Sequence, residues 1–211
     1  GDFYLMYRRE NKTISAAVDC TGHGVPGAFM SMLGAACLDE IVTKQQVIPK
    51  ANEVLNLLRH QVIKSLHQKG GENETKDGMD IALFALDKDK YELEYAGAFN
   101  SFYLVRNNEI IEYKADRMPI GVSFNQDKSF VLHAIKLEKN DSFYVFSDGF
   151  IDQFGGHDGK KFKSNNFKKL ILSVQDKNMK EQRQIFDQSL DEWRGSIEQI
   201  DDVLVAGFKI E

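Results

Sequence analysis

The sequence predicts an α+β protein in which packed, mainly antiparallel sheets are covered by helices. Two observations carry that prediction. Predicted strands and helices fall in separate runs along the chain, and the first strand is not followed closely by a second, as βαβ alternation would require.

The elements follow in order. Gly1-Asp2-Phe3-Tyr4 reads as part of a structured segment already under way, and residues 14–18 (ISAAV) form a short apolar strand ending at Asp19. Pro26 suits a first helical turn, and residues 28–43 are rich in helix formers, with Met30, Met32 and Leu33 expected to face the core. A second helix over 49–68 places Val54, Leu58, Val62 and Leu66 on one stripe and stops at Gly70-Gly71. Short β-branched and aromatic runs follow at 79–86, 91–96, 102–106, 110–114, 130–137 and 142–146, separated by turn formers such as Asn107-Asn108. Helices are expected over 166–173 and 179–193, the latter anchored by Trp193, and a last strand over 203–210. The glycine-rich stretch from Gly155 to Lys161 reads as a solvated loop; its alternatives are a gate over a cleft or a contact for an acidic partner through Lys160 and Lys161.

Composition narrows the function. A chain of 211 residues with 42% apolar and 11% aromatic content suits one folded domain. Its net charge of −5 disfavours a general nucleic-acid binder, which would carry a basic stripe. Two cysteines, Cys20 and Cys37, make no disulfide framework and no C-x-x-C pair, and they read as structural. No apolar run of transmembrane length is evident, so no membrane contact by this domain is expected, and a cytoplasmic setting is the default.

The stretch AAVDCTGHGVPGAFMSMLG holds two competing signals. Gly22, Gly24 and Gly27 spell G-x-G-x-x-G, the dinucleotide-binding fingerprint. That motif needs a strand soon after its helix and an acid about 20 residues on. Here two helices intervene, so the fingerprint reading loses to the lone carboxylate ahead of it, Asp19.

Asp19 belongs to a set. Asp2, Asp19, Asp148 and the pair Asp201-Asp202 each sit at the edge of a predicted strand. A strand end aims a short side chain well, and several carboxylates brought together require a neutralising cation. Oxygen ligands with scattered histidines imply Mg²⁺ or Mn²⁺ and not Zn²⁺, and two such ions suit phosphoryl hydrolysis by water. Taken singly, each aspartate reads as turn chemistry before it reads as a ligand, and Asp201-Asp202 also as a strand cap.

The motifs GDFY, VDCTGHGVPGAFMSMLG, YAGAFNSFYLV, MPIGV, YVFSDGFIDQFGG and DDVLVAGFKI occur in the order of the SpoIIE/RsbU-type phosphatases, a branch of the metal-dependent (type 2C) protein phosphatases. The chain resembles that family from Gly1 to Ile210. The resemblance implies a four-layer α-β-β-α sandwich with two Mn²⁺ or Mg²⁺ ions in a cleft at one end of the sheets. It implies Asp19 as bridging ligand, the Cys20 carbonyl and Asp2 on one metal, and Asp148 and Asp201 on the other, with Asp202 competing for the last place. Asp19, Asp148 and Asp201 are then the catalytic positions for hydrolysis of phosphoserine or phosphothreonine on a signalling protein.

Further expectations rest on the same resemblance. Residues 1–211 form a single phosphatase domain, the C-terminal catalytic part of a larger signalling protein whose extreme N-terminal strand or helix lies outside this sequence. The parent protein is allowed a membrane anchor. Partners include a phosphorylated STAS-domain anti-anti-sigma factor, an N-terminal sensor or linker, and a second copy in a homodimer. Three positions depart from the family pattern. Leu204 replaces a threonine hydroxyl, Asp80 replaces a small or hydroxylated residue and is expected to pair with a loop lysine, orientation of metal-bound water being the alternative, and His23 is expected to be packed or solvated, a proton donor being the alternative. The rival readings are a phosphatase-fold binding module without turnover and a hydrolase of small phosphoesters or nucleotides.

Overall fold

A two-residue turn at Glu10-Asn11 sets the geometry of one whole sheet. It joins β1 (Phe3–Arg9) to β2 (Lys12–Cys20), with Arg9 opposite Lys12 and Glu10 in the left-handed region at φ 54°. The computed structural model describes all residues except His23, 45–46, 70–76 and 125–126. The expected helix stop at Gly70-Gly71 lies outside the described residues.

Two helices follow, α1 (Gly24–Lys44) and α2 (Ala51–Ser65). Then come β3 (Met79–Asp87), β4 (Glu92–Ala98), β5 (Phe102–Arg106), β6 (Glu109–Tyr113), β7 (His133–Lys136) and β8 (Ser142–Phe146). A one-turn helix, α3 (Gly149–Asp152), leads to a small hairpin of β9 (Phe154–Gly155) and β10 (Lys160–Lys161). Helices α4 (Ser164–Ser173) and α5 (Met179–Arg194) precede the last strand, β11 (Val205–Lys209). The larger sheet has the order β1-β2-β3-β4-β7 and the other β11-β8-β5-β6, with every pairing inside them antiparallel.

Strand alternation sorts the side chains into layers. Ile14, Ala16 and Val18 of β2, with Ile81 and Leu83 of β3, pack against Leu38, Ile41, Leu55 and Leu58 of α1 and α2. Their neighbours Ala17, Ala82 and Phe84 point the other way, onto Leu104, Phe143 and Val145 of the second sheet. Phe84 meets Phe143 edge-on at 5.1 Å between ring centroids, and Phe143 stacks on Phe208 at 5.1 Å. Beyond the second sheet, Phe146, Phe150, Phe167 and Phe186 form a third core under α3, α4 and α5. Three cores separate four layers, so the protein is an α-β-β-α sandwich.

Several expectations need correction. The strand expected over 130–137 is confined to His133–Lys136, the strand expected over 14–18 runs over Lys12–Cys20, and a strand over Phe3–Arg9 was not expected as such. Gly155 to Lys161 is a β-hairpin and not an irregular loop. Met30 is buried as expected, but Met32 is 70% exposed, together with Phe29 and Val25. At about 100° per residue these three lie opposite the stripe of Met30, Gly34, Cys37 and Ile41 that meets the sheet. Helix α1 is also long and apolar enough to cross a membrane by length and composition, with a mean hydropathy of 1.4. Its interruptions by Gly, Ser and Pro hid this in the sequence, and its core stripe packs as that of any sheet-covering helix. Trp193 anchors α5 as expected, donating to the Gln153 carbonyl at 3.0 Å and meeting Phe162 edge-on.

Candidate metal centre

Three acids line up across three adjacent strands. Phe3 faces Val18 in the first hairpin, so the same register carried one residue further sets Asp2 opposite Asp19. Asp19 in turn faces Asp80 on β3. The alternation that sends Ala17 and Ala82 toward the second sheet sends Asp19 and Asp80 into the same inter-sheet space, at its open end. From the opposite sheet, Asp148 follows the end of β8, and Asp201 lies in the segment entering β11, which is the neighbour of β8.

The join between those two strands fixes Asp148 and Asp201. The Ser147 amide donates to the Leu204 carbonyl at 3.0 Å, and the Leu204 amide donates to the Ser147 hydroxyl at 3.1 Å. Gly149 completes it. Its Cα lies so close beneath the Asp202 carbonyl that any Cβ there would collide with it. Thus the Ser147-Asp148-Gly149 turn and the Asp201-Asp202 segment form one packed unit. Leu204 puts its side chain into the inter-sheet core, so no hydroxyl comes from that position; the Ser147 hydroxyl accepts from the Leu204 amide and lies near enough to the Asp2 carboxyl to favour its charged form.

The electrostatics confirm the gathering. Burial pushes the Asp19 carboxyl up to about 8, and the charges of Asp2, Asp148, Asp201 and Asp80 add to the shift. Asp80 is pushed up to about 7, chiefly by burial and then by Asp148. Asp2 and Asp148 are raised too, again first by burial; Asp152 and Asp201 add to the shift of Asp148. Asp19 shares hydrogen bonds with both Asp2 and Asp148. Carboxyls crowded in this way favour a proton or a cation between them.

Asp201 and Asp202 are separated by what they face. The Asp201 charge acts on Asp19 and Asp148, while Asp202 accepts from the Asp2 amide at 3.2 Å and so braces the backbone. The Cys20 thiol is buried and pushed up to about 11, mainly by burial, and its carbonyl oxygen faces Gly1, one residue from Asp2. Asp80 was expected to pair with a loop lysine. Among the described residues it forms no ion pair and belongs to the acid row. His23 lies outside the described residues. Ser147 escaped the sequence reading, although the S-D-G turn next to a D-D pair was its visible trace.

The donor set suits a hard divalent cation: carboxylate oxygens and one carbonyl, with no imidazole or thiolate among them. Asp2 adds a second sign, because its Oδ2 is buried and has no hydrogen-bond partner. Among the described residues no three His, Cys, Asp or Glu side chains close on a common point tightly enough to hold an ion as they stand. The carboxyls crowd one another instead, with Asp19 pushed up to about 8, so cation binding calls for side-chain rotations and loss of bound protons.

The family model for Stage II sporulation protein E (SpoIIE) matches residues 9–211. The chain belongs to the SpoIIE family. The SiaA-PP2C domain of Pseudomonas aeruginosa is 30% identical, with a TM-score of 0.89 over 100% of this chain and 80% of that one. Two further likenesses are of fold alone. RsbX in complex with magnesium is 14% identical at a TM-score of 0.63, over 100% of this chain and 87% of its own. A Mycobacterium tuberculosis chain of RsbU and RsbW domains is 19% identical at a TM-score of 0.73, and this SpoIIE-family chain, covered over 99%, spans 55% of it. None of the curated proteins compared with the chain matches it. The SpoIIE-family sandwich therefore carries its acid row at one end of its two sheets.

Proposed function

We propose that this SpoIIE-family domain hydrolyses phosphoserine or phosphothreonine on a partner protein, with two Mn²⁺ or Mg²⁺ ions held by Asp2, Asp19, the Cys20 carbonyl, Asp148 and Asp201. The observation that carries the proposal is the convergence of Asp2 and Asp19 from one sheet with Asp148 and Asp201 from the other. Family membership and the magnesium complex of the RsbX fold relative support it. Ions bound there supply Lewis-acid charge toward a phosphoryl group and make water acidic enough to attack near neutral pH.

The chain's own residues have separate tasks. Asp19 projects into the space between the two sheets and would be shared by both ions; Asp148 and Asp201 would hold one, and Asp2 with the Cys20 carbonyl the other. Ser147 accepts from the Leu204 amide and stands beside the Asp2 carboxyl, next to both halves of the donor set. Asp202 fixes the Asp2 amide. The open end of the sandwich admits a phosphorylated segment of another protein. The fold likeness to the RsbU and RsbW chain supports a signalling partner, for which a phosphorylated STAS-domain protein is the first candidate.

Phosphate release from a generic phosphoester, with and without millimolar Mn²⁺, tests the reading. Metal-dependent release is expected, and it should disappear in Asp19→Asn and Asp148→Asn. Retained release in both variants would overturn the assignment. A protein that binds its phosphorylated partner and never releases phosphate would show a binding module instead.

A further inference from the structure

The hairpin from Phe154 to Lys161 brings a positive charge beside the acid row. Helix α3 begins directly after Asp148, and the Asp152 amide donates to the Asp148 carbonyl at 2.9 Å. Four residues apart, the two side chains share one face of that turn. Strand β10 is then tied alongside α3: the Phe162 amide donates to the Gln153 carbonyl at 3.0 Å and the Lys163 amide to the Ile151 carbonyl at 2.7 Å. Lys161 lies opposite Phe154 in the hairpin, with its Nζ 5.9 Å from that ring's centroid and 2.6 Å from Asp152 Oδ2. Its neighbour Lys160 turns the other way, to Asp158 at 2.8 Å near the hairpin tip.

This placement matters because of the charges around it. The charges acting on Asp80, and most strongly on Asp19, are all negative. Cations bound there would offset that field at the acids themselves and leave the rim of the site to the chain's own charges. Lys161 stands at the rim, where its charge already reaches Asp148. Its side chain is 44% exposed and its partner Asp152 38%, so the ammonium is accessible and can exchange Asp152 for a phosphoryl oxygen at little cost.

Building on the hydrolase reading above, we infer that Lys161 is a substrate-binding residue that donates to a non-bridging oxygen of the incoming phosphoryl group, held ready at the cleft rim by Asp152. Lys160, one residue away on the opposite face of the same strand, has no such role. The pair therefore provides a matched internal comparison of equal charge.

The experiment measures inorganic phosphate binding by calorimetry in the Mn²⁺-supplemented protein, and KM and kcat for a small aryl phosphate. Lys161→Ala is expected to weaken phosphate binding and raise KM by about tenfold, with kcat within twofold. Lys161→Arg should retain most of the binding, and Lys160→Ala should behave as the unaltered protein. Mn²⁺ affinity and the thermal midpoint should be unchanged throughout. Phosphate binding by Lys161→Ala equal to that of the unaltered protein, or equal losses in Lys160→Ala and Lys161→Ala, would overturn the inference. If the unaltered protein turns over no phosphoester, the hydrolase reading fails by itself, while the phosphate titrations still decide the role of Lys161.

Discussion

Asp19 and Asp80 stand directly opposite each other on β2 and β3, two acids on one face of a sheet that is buried around them. Like charges in facing positions destabilise a sheet. Asp80→Asn is therefore expected to raise the thermal midpoint of chelator-treated protein by about 2–4 °C, the shift that ~1 kcal/mol produces in a domain of this size. The same variant should bind Mn²⁺ more weakly. A lowered midpoint together with unchanged Mn²⁺ affinity would show that Asp80 serves the fold and not the cluster.

The raised carboxyls make the chelated protein sensitive to pH. Asp19 and Asp80, at about 8 and about 7, hold protons in the folded chain at pH values where an unfolded aspartate has lost them. The stability so contributed is complete below about pH 4 and is lost as pH rises through 7 and 8. The midpoint of chelated protein should fall from pH 5 to pH 8, less steeply in Asp80→Asn, and Mn²⁺ should restore it at the upper end. A midpoint that rises with pH in chelator would contradict the crowding of these acids.

Ser147 ties the end of β8 to the segment that enters β11 through one hydroxyl, beside the Asp2 carboxyl. Ser147→Ala leaves the Leu204 amide without its acceptor. Denaturant unfolding should show a loss of about 1–3 kcal/mol, the cost of a buried group left unsatisfied. Mn²⁺ affinity should fall as well, which a purely local packing defect would not produce.

Gly149→Ala tests the contact beneath the Asp202 carbonyl. The added methyl group has no space there, so the segment carrying Asp201 must move. Phosphate release is expected to fall by about 10² or more, the loss typical of a misplacement near 1 Å, while the far-ultraviolet dichroism stays that of a folded chain. Activity within twofold of the unaltered protein would show that Asp201 is not required at this place.

Most of the sandwich was legible because alternation and turn residues are local signals. Val18-Asp19 and Ser147-Asp148-Gly149 announced strand ends, and motif order supplied the four-layer sandwich that spacing alone left open. What stayed hidden depends on contacts between distant segments. Asp80 read as a loop partner because nothing local states that residue 80 faces residue 19. The Ser147 hydroxyl shows its purpose only once Asp2 and Leu204 are beside it. Met32 was misplaced because α1 is apolar on every side, so its sequence does not say which face meets the sheet. The hairpin at Lys160-Lys161 is two residues wide and leaves almost no periodic trace.

The turn at Glu10-Asn11 works as a ruler for a site at the far end of its own hairpin. Asp2 and Asp19 meet because eight residues run out and eight run back from that turn, about 25 Å away at the rise of a β-strand. Gaining or losing one residue there would slide β1 along β2, and the side-chain period of two would turn Asp2 to the helix-covered face. An insertion remote from every acid would thus disarm the cleft while leaving each of its residues in the sequence. Homologous chains with a hairpin turn of altered length can be sorted on this basis, before any assay, into those that keep Asp2 in the acid row and those that have lost it.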